Sequence, residues 1–175
     1  GVGATGTVED ASEEDWHKVL NINVVGTSRV SAAAMTLLRK SKSPAIVNTC
    51  SVAATAGIPK RAVYSASKGA IMSLTLAMAA DHVKEGIRVN CVSPGSIATE
   101  GLNLYPPGAA ERFGDANPLR QLGDAYDIAQ SVLHVGAPVT GKFITGEVLV
   151  VDGGNQLWGD VWPGNIPDWF KVPNR

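Results

Sequence analysis

Tyr64 and Lys68 stand four residues apart in the alanine- and serine-rich stretch Tyr64-Ser-Ala-Ser-Lys68. In a helix that spacing puts both side chains on one face. An ammonium held near a phenol favours the phenolate, so tyrosine's ordinary pKa of about 10 moves toward neutrality. A phenol tuned in this way can give a proton to a carbonyl oxygen or take one from an alcohol. Tyrosine and lysine also meet at this spacing on many solvated helix faces, so the pair does not decide the chemistry alone.

Three further features lie at defined distances from it. Ser51 ends the run Ala45-Ile-Val-Asn-Thr-Cys-Ser51, whose apolar core reads as a buried strand. It therefore falls at the carboxyl end of a strand, where open parallel sheets build their ligand sites, and a hydroxyl there can bond a substrate oxygen. Asn23 falls on an apolar stripe formed by Trp16, Leu20, Val30, Ala34 and Leu38, where an amide needs partners. The segment Ile87-Arg-Val-Asn-Cys-Val-Ser-Pro94-Gly95-Ser-Ile97-Ala-Thr99 reads as an apolar strand stopped by Pro-Gly. Glycine there lets backbone approach a ligand closely, and Thr99 with the neighbouring amides offers polar contacts. Each feature also has a bland reading: a loop serine, a satisfied structural asparagine, an ordinary turn.

Taken together, these motifs resemble the short-chain dehydrogenase/reductase family. Its pattern is matched by Asn23 with Gly26, Ser51, Tyr64 with Lys68, and Pro94-Gly95 with Thr99, in order and spacing. The resemblance continues through Ile144-Thr-Gly-Glu and Val151-Asp-Gly-Gly154. It implies Asn23, Ser51, Tyr64 and Lys68 as catalytic residues. For the cofactor, NAD or NADP, it implies Gly1, Tyr64, Lys68, Pro94, Gly95, Ile97 and Thr99. Under the resemblance Tyr64 is the general acid/base and Lys68 also bonds the nicotinamide ribose. Ser51 steadies the substrate oxygen, and Asn23 holds a water in the proton relay. A homodimer or homotetramer built on the two long helices is implied as well.

The family's glycine-rich G-x-x-x-G-x-G turn does not occur here: Gly1, Gly3 and Gly6 have a different spacing. The chain is therefore expected to be the C-terminal part of a longer domain, with Gly1 the last residue of the family's Asn-Asn-Ala-Gly segment. Enoyl reduction on the same fold, a non-catalytic nucleotide sensor and an inactive fragment are the rival readings.

The elements that must position these residues follow from pattern. Residues 1–11 read as loop and 12–40 as one long helix capped by Ser12. A strand at 45–49, a helix at 62–85 and a strand at 87–93 follow. Residues 96–122, rich in Pro and Gly, read as an irregular cover over the substrate. A helix at 124–134 and a strand at 147–151 complete the alternation. Helices alternating with apolar strands imply a parallel sheet in an α/β three-layer sandwich, the C-terminal half of a Rossmann-type doubly wound sheet.

Composition sets the outer bounds. A net charge of -1 gives no electrostatic case for nucleic acid or an anionic membrane, and 45% hydrophobic content argues against disorder. Cys50 and Cys91 read as buried small hydrophobes in a reducing, cytoplasmic setting rather than a disulfide framework. His17, His82 and His134 lack metal-ligand spacing, and a small-molecule alcohol or carbonyl is the expected partner. Trp158, Trp162, Trp169 and Phe170 crowd the C-terminal tail, which resembles that of citronellol/citronellal dehydrogenase-like members. One of those rings is a candidate wall of the substrate pocket; packing along the body or a neighbouring subunit is the plainer expectation.

Overall fold

The computed structural model describes residues 1–104 and 107–157, so the aromatic tail lies outside the described residues. Ser12 opens the first helix as its sequence predicts. Its Oγ accepts the Asp15 backbone N–H at 3.1 Å, and Glu13, Glu14 and Asp15 place negative charge at the helix's positive end. The helix does not run unbroken to residue 40. α1 covers Glu13–Leu20, a π-helical turn occupies Asn21–Val25, and α2 covers Gly26–Leu38. The π-turn inserts a residue and resets which side chains face inward. Val19, Asn23, Ser31 and Met35 are therefore buried, while Val30, expected inward, is 71% exposed.

β1 (Ala45–Thr49) leads through a short 3-10 turn into α3 (Ala62–His82). A further 3-10 turn extends α3 to Glu85, and Gly86, at φ 74°, ends it in the left-handed conformation. β2 spans Arg88–Pro94. The stretch expected to be irregular holds a 3-10 turn at Glu100–Leu104 and a helix, α4 (Ala109–Ala116), entered through Gly108 at φ 77°. Its glycines and prolines lower helix propensity and hid it. α5 (Ala125–Gly136) starts from a reciprocal capping box between Asp124 and Asp127, and β3 is Val148–Val151.

The three strands pair in parallel in the order β1-β2-β3, with Ala45 opposite Arg88 and Cys91 opposite Val148. Side chains alternate between the two faces. On one face Ile46 and Val89 pack with Met35, Met78, Ala79 and Ile87 into a core beneath α2 and α3. Asn48 there donates to Thr75 Oγ1 on α3 at 2.8 Å. The other face carries α5. The Arg88 guanidinium reaches that helix's end: Nη1 donates to Val135 O and Gly141 O, and Nη2 to Gly136 O, each at 2.6 Å. The carbonyls of Val135 and Gly136 have no partner within the helix, so Arg88 on β2 completes the end of α5 and ties it to the following loop at Gly141. Helix, sheet, helix gives the expected three layers. No described helix is long and apolar enough to cross a membrane.

Candidate active site

All three strands end on the same side, and a cavity of about 800 Å³ opens there. Its wall brings together Gly1, Ser51, Tyr64, Lys68, Pro94, Gly95, Ile97 and Thr99, every expected site residue except Asn23. Tyr64 enters from the first turn of α3 and Lys68 from the next. Lys68 is buried; its Nζ donates to Thr49 O at 2.9 Å and stands 5.6 Å from the centre of the Tyr64 ring. Desolvation pushes the Lys68 pKa down, with the neighbouring Cys50 thiol opposing that in part.

Ser51 lies just beyond β1 and caps the 3-10 turn Val52–Ala54, its Oγ accepting the Ala53 N–H at 3.2 Å. A hydroxyl that accepts in this way still has a proton to donate. Ser51 is thus both a loop cap and a cavity residue.

Asn23 is placed differently. The π-turn aims its side chain at the chain's first residues: Oδ1 accepts from Val2 N, and Nδ2 donates to Val2 O, both at 2.8 Å. Nδ2 also donates to Ser67 Oγ at 3.0 Å. The amide is a clamp between residue 2 and α3, and it faces a second cavity of about 770 Å³ that shares Gly1, Thr49 and Lys68 with the first.

Two backbone expectations change. Gly95 is required by the protein itself: a Cβ there would lie 2.6 Å from Asp152 Cβ and 2.8 Å from Asp152 Cα. The Ala98 N–H, between Ile97 and Thr99, is committed to Gly123 O at 2.8 Å and is not offered to a ligand. Gly1 is likewise closely packed, since a Cβ there would lie 2.8 Å from Asn23 Oδ1 and 3.6 Å from Lys68 Nζ, yet the residue stays exposed on the cavity wall.

Sequence reasoning missed Arg61, Leu102 and Phe113, which also line the cavity. Arg61 precedes Tyr64 by three residues, a same-face spacing that could have found it. The two cysteines are free and buried as expected. The neighbouring Cys91 holds the Cys50 thiol below its ordinary pKa, and Cys50, with burial, drives Cys91 up. Among the described residues no group of three or more His, Cys, Asp or Glu is placed to hold a metal ion.

Residues 1–156 match the family model described as Enoyl-(Acyl carrier protein) reductase. The chain belongs to the short-chain dehydrogenase/reductase family. An "Uncharacterized oxidoreductase" of Thermotoga maritima is 37% identical over 161 residues, covering 89% of this chain and 64% of that protein. Among solved structures, "ElxO with NADP Bound" superposes with a TM-score of 0.81 at 30% identity, over 88% of this chain and 63% of the other. A "4-hydroxyisoleucine dehydrogenase mutant complexed with NADH and succinate" does so at 0.81 and 32%, over 90% and 65%. The chain spans less than two thirds of the length of these relatives.

Proposed function

We propose that this chain carries the catalytic part of an NAD- or NADP-dependent oxidoreductase that interconverts an alcohol and a carbonyl. The observation that carries the reading is the convergence of Ser51, Tyr64 and Lys68 on one cavity at the carboxyl ends of the strands. The residues present fit the nicotinamide end of such a cofactor. Gly1 is exposed on the wall that also carries the Lys68 ammonium, and Thr99 adds a hydroxyl to the same wall. When bound, the nucleotide supplies or accepts the hydride.

The chain's own groups do the rest. Tyr64 moves the proton at the substrate oxygen, Ser51 donates a hydrogen bond to that oxygen, and Lys68 lowers the phenol's proton affinity while bonding the ribose hydroxyls. Gly1, Pro94, Gly95, Ile97 and Thr99 shape the nicotinamide pocket. Asn23 serves by fixing Val2, next in sequence to the Gly1 of the cavity wall, and its amide is committed to that role rather than to a relay water. We take residues 1–175 as part of a larger domain, and place the contact between subunits of a homodimer or homotetramer on α2 and α3, which expose Val30, Leu37 and Leu76.

The family model's description favours a second reading, reduction of a C=C bond in an enoyl thioester. The intact Ser51, Tyr64 and Lys68 set favours carbonyl chemistry, and a non-catalytic nucleotide sensor has no need of it. The test uses the product of the whole coding sequence that contains this chain. Secondary alcohols with NAD or NADP, followed by the absorbance of reduced nicotinamide, should give turnover. Turnover of enoyl thioesters alone would establish the second reading. Nucleotide binding without turnover of either class would leave the sensor.

A further inference from the structure

The described residues that line the cavity at the strand ends carry charge of one sign. Among its described lining residues the groups charged at neutral pH are Lys68 and Arg61, and no aspartate or glutamate joins them. Lys68 is accounted for by Thr49 and Tyr64. Arg61 has no part in the proton chemistry, and its backbone is closely fixed. Gly6 and Arg61 pair as an isolated parallel bridge, with Gly6 N donating to Lys60 O at 2.9 Å and Ala62 N to Gly6 O at 3.4 Å. Lys60, immediately before it, is held at φ 58°, a conformation that residues other than glycine seldom take.

The guanidinium stands beside the phenol. A Cβ built on Gly3 would lie 3.4 Å from Tyr64 Cδ2 and 3.6 Å from Arg61 Nη1. Gly3 thus borders both groups without a side chain that would cover either. The wall also contains Ile58, Leu102, Phe113 and Ile128.

We propose that Arg61 anchors an anionic end of the substrate, and that the substrates are hydroxy acids and the corresponding oxo acids. This rests on the oxidoreductase reading above. A guanidinium presents paired N–H donors in a plane that matches a carboxylate, and its charge does not titrate in the working pH range. A cleft of one sign concentrates ligands of the other. The apolar side chains suit the carbon chain between the carboxylate and the reacting carbon. One such fork gives each of a carboxylate's two oxygens a donor, whereas a phosphoryl group brings more oxygens than one guanidinium reaches.

The test takes the whole coding product and a series of 2-, 3- and 4-hydroxy acids, each compared with its own amide. The acid should exceed the amide in kcat/KM by about 10- to 100-fold, the range of a hydrogen-bonded charged contact. Arg61→Met should bring that ratio close to one, and Arg61→Lys should restore part of it. General damage to the fold lowers both substrates and leaves the ratio, so an unchanged ratio in Arg61→Met overturns the anchor, as does a wild-type ratio near one. A second readout needs no turnover: butanoate binding, measured by calorimetry, should weaken at least tenfold in Arg61→Met, and binding indifferent to Arg61 also overturns the anchor. Butanoate binding that depends on Arg61, without hydride transfer to any member of the series, would support the anchor and count against the oxidoreductase reading.

Discussion

Asn23 holds Val2 by both of its backbone groups, accepting from the N–H and donating to the carbonyl at 2.8 Å each. With Ser67 Oγ as a third partner, one buried amide ties the start of the chain to α3. Asn23→Asp keeps the shape but turns the donor into an acceptor facing two oxygens. We expect a loss of about 2–4 kcal/mol, from two buried acceptors left unpaired, read as a fall in the urea midpoint. Ser67→Ala, which removes one of the partners, should cost about 1 kcal/mol. An Asn23→Asp variant as stable as wild type would show that the clamp contributes nothing.

Arg88 makes a second prediction. Arg88→Met preserves the aliphatic stem and strips the donors from the carbonyls of Val135, Gly136 and Gly141. Stability should fall by about 2–4 kcal/mol. Hydrogen exchange should rise first at the end of α5. Uniform loss of protection, with α5 unaffected relative to the rest, would contradict this role.

The buried Lys68 gives a pH dependence whose sign is fixed. Its folded pKa lies below the free value of 10.5, so between the two the unfolded chain binds more protons and stability rises with pH. Relative to Lys68→Met, the wild type should therefore gain stability as pH climbs toward 10.5. The gain is about 1.4 kcal/mol for each pH unit separating the folded from the free pKa. A stability difference independent of pH would mean that the ammonium is not desolvated. In the active enzyme, alcohol oxidation should first rise with pH and then decline below pH 10.5 as Lys68 loses its proton.

Residues 1–175 expressed alone should bind NAD or NADP no tighter than millimolar. The cavity supplies contacts for the nicotinamide end, and this sequence contains no glycine-rich turn opening a helix that could hold the pyrophosphate. β1 lies at one edge of the described sheet, beside a groove lined by α2. An unpaired edge is a template for association, so the chain alone should self-associate. Calorimetry and light scattering read both, and a monomer with micromolar nucleotide affinity would contradict the placement of the cofactor.

The layers and the order of elements were legible because strand and helix periods are local properties of the chain. So was the cap at Ser12, where side chain and backbone are neighbours in sequence. Tyr64, Lys68 and Ser51 were found by spacing and meet in one cavity. The π-turn at Asn21–Val25 was not legible: no residue type demands it, and it is held by Asn23 reaching residues remote in sequence. α4 was hidden by Gly108 and Gly114, whose intrinsic preference opposes the helix that tertiary packing imposes. The need for glycine at position 95 came from Asp152, more than fifty residues away, and no local pattern carries such a contact.

The proton chemistry assigned to Tyr64 is tested most directly by Tyr64→Phe in the whole coding product, which keeps the ring beside Lys68 and removes the phenol proton. The rate of hydride transfer in a single turnover should fall by about 10²–10⁴-fold, the usual contribution of a general acid or base, with nucleotide affinity close to that of wild type. Retention of more than about a tenth of the rate would contradict Tyr64 as the acid/base.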